Sequence, residues 1–304
     1  DSIDFPSRDL VKHYNYGKTK ITGVTFFAKG KLTTIMTTRG CPFNCGFCVS
    51  KSIFNKCRLR SAENVVEELV EISKNYDTVF AVDDNFLMDK KRANKIMDLL
   101  IEKQLDLDIW ISGARVTDAD KDLFIKMKKA GVKSIEFGIE SGNQEVLDYY
   151  NKRITLNDVK KATSLSKKIG FLTIGNFILG APIEKQKHVK DTISFAKKLN
   201  LDFAFFYGFN LLKGSPIWED AYKAGKIEKN DMHIPCDTKN GLCNFSKQEI
   251  RNIRHRAFLS YYLSPKYIIS QFIRSIFVYR HFRVFKAGLE LLLIQKDETI
   301  FANR

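Results

Sequence analysis

Leu32-Thr-Thr-Ile-Met-Thr-Thr-Arg-Gly-Cys-Pro-Phe-Asn-Cys-Gly-Phe-Cys48 is the stretch on which the reading of the fold turns. Leu32 to Thr38 is rich in β-branched residues and predicts a buried strand, which stops at Arg39-Gly40, where glycine lets the chain turn. Cys41, Cys45 and Cys48 follow at once in a C-x3-C-x2-C run. Three thiols so spaced can converge on one inorganic centre, yet they leave it a ligand short, since structural zinc sites and ordinary ferredoxin clusters both take four protein ligands. The run therefore points to a 4Fe–4S cluster with one iron free for an exogenous ligand. The triplet alone leaves two other readings open. It could be half of a zinc site completed by Cys57, Cys236, Cys243 or one of the five histidines, or two buried thiols and a bystander.

Outward from this loop, strand and helix patterns alternate. Ser61 can cap a helix carrying Val65, Val66, Leu69, Val70 and Ile72 at helical spacing. Thr78 to Val82 reads as a second strand, ending in Asp83-Asp84-Asn85, and a helix is expected near Lys90 to Lys103. A third strand, Leu107 to Ser112, precedes Thr117-Asp-Ala-Asp120, which resembles a capping box for a helix ending at Gly131. Ser134 to Ile139, Phe171 to Leu179 and Phe203 to Tyr207 read as strands four to six. Helices near Gln144 to Tyr150, Asn157 to Ile169 and Lys187 to Lys198 lie between them. Six such units imply a parallel sheet with right-handed crossovers and helices on its faces. Six units rather than eight, with no Gly-x-Gly-x-x-Gly after the first strand, favour an α/β class fold, an incomplete (β/α)6 barrel open at one side, over a doubly wound sheet. The expected organisation is a linker and small hairpin over 1–31, with Ile21 to Phe27 as one arm, the partial barrel over 32–215 and a helical region over 216–304. In the last region Ser246-Lys-Gln-Glu249 is a capping box and Ser264-Pro265 opens a helix. Its stripe of Ile269, Phe272, Ile273, Ile276 and Phe277 is expected to pack on the domain, and a further helix is expected to carry Leu289 to Ile294.

Parallel α/β barrels gather functional groups at the carboxyl ends of their strands. The cysteine loop follows strand one; Asp83, Asp84 and Asn85 follow strand two; Arg115 follows strand three. Glu140 and Ser141 follow strand four, and Gly175 and Gly180 bracket the end of strand five. Singly, each has a structural explanation: a helix cap for the aspartates, turns for the glycines, core packing for Phe43 and Phe47.

Thr-Arg-Gly-Cys-Pro-Phe-x-Cys-x-Phe-Cys, with those strand ends in that order, resembles the radical S-adenosylmethionine (SAM) superfamily. The resemblance implies a 4Fe–4S cluster on Cys41, Cys45 and Cys48, with the amino and carboxylate groups of SAM on its free iron. Asp83 to Asn85 sit where many members carry Gly-Gly-Glu for the SAM amino group, a departure that leaves the contacting residue undecided. It further implies Glu140 and Ser141 at the ribose or methionine moiety, Lys152 or Arg153 at the carboxylate, Phe47 beside adenine, and Gly175 and Gly180 where backbone approaches adenine. Phe5-Pro-Ser-Arg-Asp-Leu10, Asp-Asp-Asn-Phe86, the Asn-Lys-x-Ile-Thr155 segment and the helical tail are most similar to the cobalamin-associated branch. There a cobalamin domain usually precedes the Pro-x-Arg-Asp segment. Here the chain opens on Asp1 without methionine, which suggests a fragment or a processed chain, and no residue can be nominated for cobalamin. The implied reaction is reductive cleavage of SAM and hydrogen abstraction from an unactivated carbon, leading to methyl transfer with cobalamin and to rearrangement, cyclisation or oxidation without it. Tyr207, Phe209 and Asn210 could line the substrate side.

Bulk properties bound the partners. Six cysteines among 304 residues form no evenly spaced framework, which argues for a reducing, cytoplasmic setting over a disulfide-stapled secreted protein. No apolar run approaches the length that crosses a bilayer. The formal charge of +15 favours acidic partners, and the stretch from Lys247 onward is rich in it. An RNA-modifying enzyme would need an appended RNA-binding module, and none is evident. The expected partners are therefore a small-molecule substrate, an external electron donor, and an anionic membrane or a further domain met through the basic C-terminal helices. A scaffold that holds a metal or iron–sulfur centre without catalysis, its basic tail on nucleic acid or membrane, is the reading from another class.

Overall fold

The computed structural model describes residues 1–14 and 28–279, together with 282, 284–286 and 288. The hairpin arm expected at Ile21 to Phe27 and the helix expected over Leu289 to Ile294 lie outside the described residues. The strands are β1 (Leu32–Ile35), β2 (Thr38–Arg39), β3 (Arg58–Leu59), β4 (Thr78–Ala81), β5 (Asp108–Ala114), β6 (Val132–Glu140), β7 (Leu172–Leu179), β8 (Phe203–Gly208), β9 (Asn210–Leu212) and β10 (His233–Pro235). The helices are α1 (Ser50–Ile53), α2 (Ala62–Ser73), α3 (Lys90–Lys103), α4 (Lys121–Lys129), α5 (Gln144–Tyr149), α6 (Leu156–Ile169), α7 (Gln186–Leu199), α8 (Pro216–Lys223), α9 (Lys247–Tyr262) and α10 (Pro265–Phe277).

β1, β4, β5, β6, β7 and β8 form one sheet in that order, every neighbouring pair parallel. Spatial order follows chain order, so each crossover moves the chain one strand along in the same direction. A doubly wound sheet reverses at a switch point, and this one does not. Among the described residues β1 and β8 are not paired with one another, so the sheet is a partial barrel, with β9–β10 and β2–β3 as small separate ribbons. Outward-facing Ile135, Phe137, Ile139, Phe177, Leu179 and Phe206 meet the helices in the main core. Alternation along the strands turns Glu136 and Asn176 to the other face.

Two element boundaries differ from expectation. The run Leu32 to Thr38 is not one strand: β1 stops at Ile35. The buried Asp83 carboxylate accepts from Thr37 N at 2.6 Å and Thr38 N at 2.9 Å, as well as from the Thr37 hydroxyl. Those are donors a continuing ladder would use, so the chain peels away and pairs Thr38–Arg39 with Arg58–Leu59 instead. Thr117 opens no capping box either. It lies in a 3-10 turn over Val116–Asp118, and Asp120 caps α4 by accepting from Leu123 N. The capping boxes and caps expected at Ser61, Ser246 and Ser264 are present.

α9 lies against β8 and β7, and α10 closes the end of the barrel where β8 begins. Asp202, fully buried ahead of β8, accepts from Arg274 Nε at 2.9 Å and Gln271 Nε2 at 3.0 Å, with Lys167 Nζ 3.8 Å away. Burial would push its carboxyl up, but Lys167 and Arg274 outweigh that and hold it below its ordinary value. The apolar stripe of α10, expected to pack inward, faces solvent.

Candidate active site

The cysteine loop hangs across the carboxyl end of the barrel between β2 and α1. Gly40 turns into it with φ +87°, where a Cβ would stand 3.0 Å from Phe54 Cβ, so only glycine fits. The far side of the loop is stitched to the barrel rim. Gly46 N donates to Tyr150 O at 2.7 Å, Ile217 N to Gly46 O at 2.9 Å, and Asn151 Nδ2 to Asn44 O at 2.9 Å. Phe47 packs edge-on to Tyr150, 5.0 Å between centroids, in a second core with Phe209, Ile217 and Trp218. Cys45 is buried, and Cys41 and Cys48 are half-buried. Burial pushes the Cys41 and Cys48 thiols up, and the neighbouring cysteine thiolates push them further. Among the described residues no three Cys, His, Asp or Glu side chains gather tightly enough to hold a single metal ion.

Beside the loop lies a compact polar group. The Arg115 guanidinium stacks on Phe43, 3.7 Å from the ring centroid. Its Nη2 donates to Lys152 O at 2.6 Å and its Nη1 lies 3.7 Å from Cys45 Sγ, while its buried Nε has no partner. Lys152 and Glu140 form a buried ion pair at 2.6 Å, with the Lys152 ammonium 5.6 Å above the Phe47 ring. Glu140 takes left-handed backbone, φ +65°, as the strand ends. Gly138 makes room for the pair, since a Cβ there would stand 2.5 Å from Glu140 Oε1 and 2.9 Å from Lys152 Nζ.

The acidic strand end divides its labour. Asp83 is consumed by the β1 turn, and buried Asn85 is held by Asp118 Oδ2 at 2.7 Å and Leu87 N at 3.2 Å. Asp84 is exposed, and it accepts from Ser50 Oγ at 2.8 Å, two residues past Cys48. Gly113 lets this turn sit against β5, for a Cβ would collide with Asp83 O.

The other expected positions are placed elsewhere. Gly175 points out of the barrel: its missing Cβ makes room for Leu201 and Ile139, so packing accounts for the glycine and no ligand approach is needed. Gly180, φ +94°, lies under Ile250 of α9. The Ser141 hydroxyl faces Thr192 of α7 at 3.0 Å and accepts from Asn143 N. Phe209 stacks on Tyr150 rather than lining a substrate space, 5.8 Å apart and within 8° of parallel, while Asn210 Nδ2 donates to Gly208 O. Tyr207 is half exposed. Arg153 is exposed, and burial raises the Cys57 thiol.

Sequence reasoning passed over Gly138, Glu136 and Asn176. Asn176 Nδ2 donates to Glu136 Oε1 at 2.6 Å, leaving the buried Asn176 Oδ1 without a partner, and burial raises the Glu136 carboxyl. The signal was there: Ser134, Glu136, Gly138 and Glu140 share one face by the two-residue period of a strand.

A partial parallel barrel whose first strand leads into a three-cysteine loop defines a class of enzyme. The family model described as the radical SAM superfamily matches residues 35–196, and the chain belongs to that superfamily. It is 33% identical over 299 residues to the uncharacterized methyltransferase PH0819 of Pyrococcus horikoshii, covering 97% of this chain and 62% of the relative. It is 32% identical over 170 residues to the anaerobic magnesium-protoporphyrin IX monomethyl ester cyclase of Rubrivivax gelatinosus, covering 55% of this chain and 30% of that protein. The chain thus spans less than two thirds of the length of either relative. Its fold is shared with the radical SAM methyltransferase TsrM of Kitasatospora setae, solved with cobalamin and a [4Fe-4S] cluster. The TM-score is 0.64 at 16% identity, over 89% of this chain and 62% of that one.

Proposed function

We propose that this chain is the catalytic core of a radical SAM enzyme in which Cys41, Cys45 and Cys48 hold a 4Fe–4S cluster and the pocket beside them holds SAM. The observation that carries this reading is the loop itself. Its three cysteines lie on one short segment tied to the barrel rim through Gly46 and Asn44, with the Arg115 guanidinium 3.7 Å from Cys45 Sγ, and three thiolates leave a 4Fe–4S cluster one iron short of a protein ligand. When bound on Cys41, Cys45 and Cys48, the cluster would supply the one electron for reductive cleavage of SAM into methionine and a 5′-deoxyadenosyl radical.

The chain's own residues bind, orient and exclude water. Arg115, fixed on Phe43 and at Lys152 O, presents positive charge to Cys45. The exposed Asp84 carboxylate can accept from the SAM amino group. Lys152, with three donors and one carboxylate partner, has donors left for the SAM carboxylate, and Glu140 keeps it in place. Phe47 and Tyr150 give an apolar wall on the loop's inner side. Glu136, Asn176 and Tyr207 put polar groups at the substrate side, where the reacting C–H bond must be aimed.

Two outcomes are supported by relatives. Similarity across nearly this whole chain to a protein named an uncharacterized methyltransferase supports methyl transfer as the outcome, and cobalamin is proposed for it on the branch resemblance of the sequence alone. Similarity to a cyclase supports ring closure by the same first step. An external low-potential donor supplies the electron in both, and the six unpaired cysteines fit the reducing cytoplasm. Among the described residues no helix is long and apolar enough to cross a membrane.

The test is anaerobic reconstitution with iron and sulfide, reduction in the presence of SAM, and chromatography for 5′-deoxyadenosine. The wild-type chain is expected to form it, and Cys48→Ala is expected to lose both the product and the cluster's visible absorbance. Absence of 5′-deoxyadenosine from an iron-loaded protein overturns the proposal, as does a chain that takes up zinc and no iron.

A further inference from the structure

α10 turns its polar side to the barrel and its apolar side to solvent. Tyr267, Gln271, Arg274 and Ser275 are buried, while Ile269, Phe272, Ile273, Ile276 and Phe277 are exposed, Ile269 to 60% and Phe277 to 75%. The patch is extended by Phe282, half exposed and with its ring 5.8 Å from that of Phe272. A contiguous apolar stripe of this kind on a protein surface marks an interaction site.

One flank of the helix borders a cavity of opposite chemistry. Lys266 Nζ donates to Lys198 O at 3.1 Å and Asn200 Nδ2 donates to Ser270 Oγ at 2.8 Å. Lys198 and Asn200 form the wall of a cavity of about 380 Å³ that is also lined by Lys160, Lys167 and Lys168. Lys167 is turned inward to Asp202 and Lys160 Nζ lies 5.9 Å from the centroid of the Phe195 ring, and the ammonium groups of exposed Lys168 and Lys198 remain for a ligand. No acidic residue occurs in α10, in α6 from Lys160 on, or in α7 from Thr192 on. Asp202, the acid these elements close over, is fully buried. Helix dipoles account for the lysines in the last turns of α6 and α7. They do not account for the apolar stripe beside the cavity.

We infer that α10 and the lysine-lined cavity on its flank form a docking surface for an anionic phospholipid membrane. Hydrocarbon takes the stripe and headgroup phosphates take the lysines, so one occupant answers both features. A second copy of the chain does not. A two-fold contact over the stripe would bring two lysine cavities together. The surface lies where β8 begins, at the end of the barrel opposite the cysteine loop, so docking leaves the active-site mouth uncovered. The inference does not depend on the proposed reaction.

The test is co-sedimentation of the full 304-residue chain with vesicles of phosphatidylcholine alone or of phosphatidylcholine with phosphatidylglycerol. The chain is expected on the anionic vesicles and in the supernatant of the neutral ones. K168E/K198E is expected to lower the partition coefficient by about tenfold or more, and F272D/I276D to abolish binding. Circular dichroism and thermal unfolding should match wild type, and the lysine pair, being fully outward, keeps the test valid should the stripe variant fail to fold. Equal binding to both vesicles, binding to neither, or unaltered binding by K168E/K198E overturns the inference. So does a wild-type dimer that F272D/I276D converts to monomer without any vesicle binding. Inorganic phosphate that stabilises the chain against heat while anionic vesicles do not bind it also overturns it, in favour of a soluble anion.

Discussion

Removing the Lys152 side chain isolates the ion pair beside the cysteine loop. Lys152 Nζ and Glu140 Oε1 are 2.6 Å apart, and both side chains are only 8% exposed. Glu140 Oε1 has Lys152 as its cationic partner, and the pair fills the space that the missing side chain of Gly138 leaves, so water has little room to replace the ammonium. Lys152→Met leaves a carboxylate buried without compensation, which costs about 3–5 kcal/mol. A domain of this kind has roughly 5–15 kcal/mol to lose. Lys152→Met/Glu140→Gln removes both charges and is expected to recover most of that loss, giving a coupling of about 2 kcal/mol or more in a double-mutant cycle. Urea unfolding of the four proteins, with midpoint and slope both recorded, measures it. If Lys152 also holds the SAM carboxylate, the double variant folds and binds iron but forms little 5′-deoxyadenosine. A Lys152→Met chain within about 1 kcal/mol of wild type refutes the reasoning, because it means the pair is solvated.

Three further outcomes are expected. Burial pushes the Glu184 carboxyl from 4.5 up to about 7 against the donors Gly180 N and Ala181 N. Between those pH values the folded state therefore holds a proton that the unfolded state has lost, and stability falls as pH rises, by on the order of 3 kcal/mol in all. Glu184→Gln should flatten that slope in unfolding curves taken across the window, and an unchanged slope assigns it to other groups. In Gly175→Ala the new Cβ would stand 2.6 Å from Leu201 Cδ1 and 2.7 Å from Ile139 Cδ1, so a loss of about 1–3 kcal/mol is expected in chemical denaturation. Unaltered stability with weakened SAM binding would restore the adenine-approach reading. Cys57, whose thiol donates to Gly40 O at 3.3 Å, should be dispensable to the cluster. Cys57→Ser is expected to keep wild-type iron content and absorbance, and loss of iron would make it a fourth ligand.

Much of the barrel is legible in the order of amino acids alone, because a parallel sheet covered on both faces writes each strand as a short apolar run and each helix as a capped amphipathic one. The limits of α3 agree with the expected Lys90 to Lys103, and the order of the strand ends places Arg115, Glu140 and Asp84 at one end of the barrel. The site is legible where adjacency in sequence is adjacency in space, as along the cysteine loop. It is not legible where the deciding partner is distant. Asp83 has the look of a ligand, but Thr37 and Thr38, 46 and 45 residues earlier, claim its oxygens. Gly175 has the look of an opening for a ligand, but Leu201 fills the space. Gly138 draws no attention because its neighbour Lys152 is brought to it only by the turn after α5.

The orientation of α10 is the same lesson at larger scale, and it turns on energy rather than on pattern. Periodicity shows that Ile269, Phe272, Ile273, Ile276 and Phe277 share a face but not which way the face points. Turned inward, that face would bury what remains exposed of five apolar side chains, 42% to 75% of each, which at about 1.5–3 kcal/mol per fully buried side chain comes to roughly 4–8 kcal/mol. It would also carry Arg274 and Gln271 to solvent and leave Asp202, 0% exposed, with Lys167 as its remaining cationic partner at 3.8 Å. Breaking such a buried pair costs about 3–5 kcal/mol. The hydrogen bond from Tyr267 to Asp202 O and the Arg274 donor to Phe171 O would be lost as well. In water the two arrangements are therefore close in energy, and the polar anchors decide. If the stripe instead meets hydrocarbon, the outward arrangement keeps the anchors and gains the apolar burial too, so membrane contact removes the conflict that the helix carries in water.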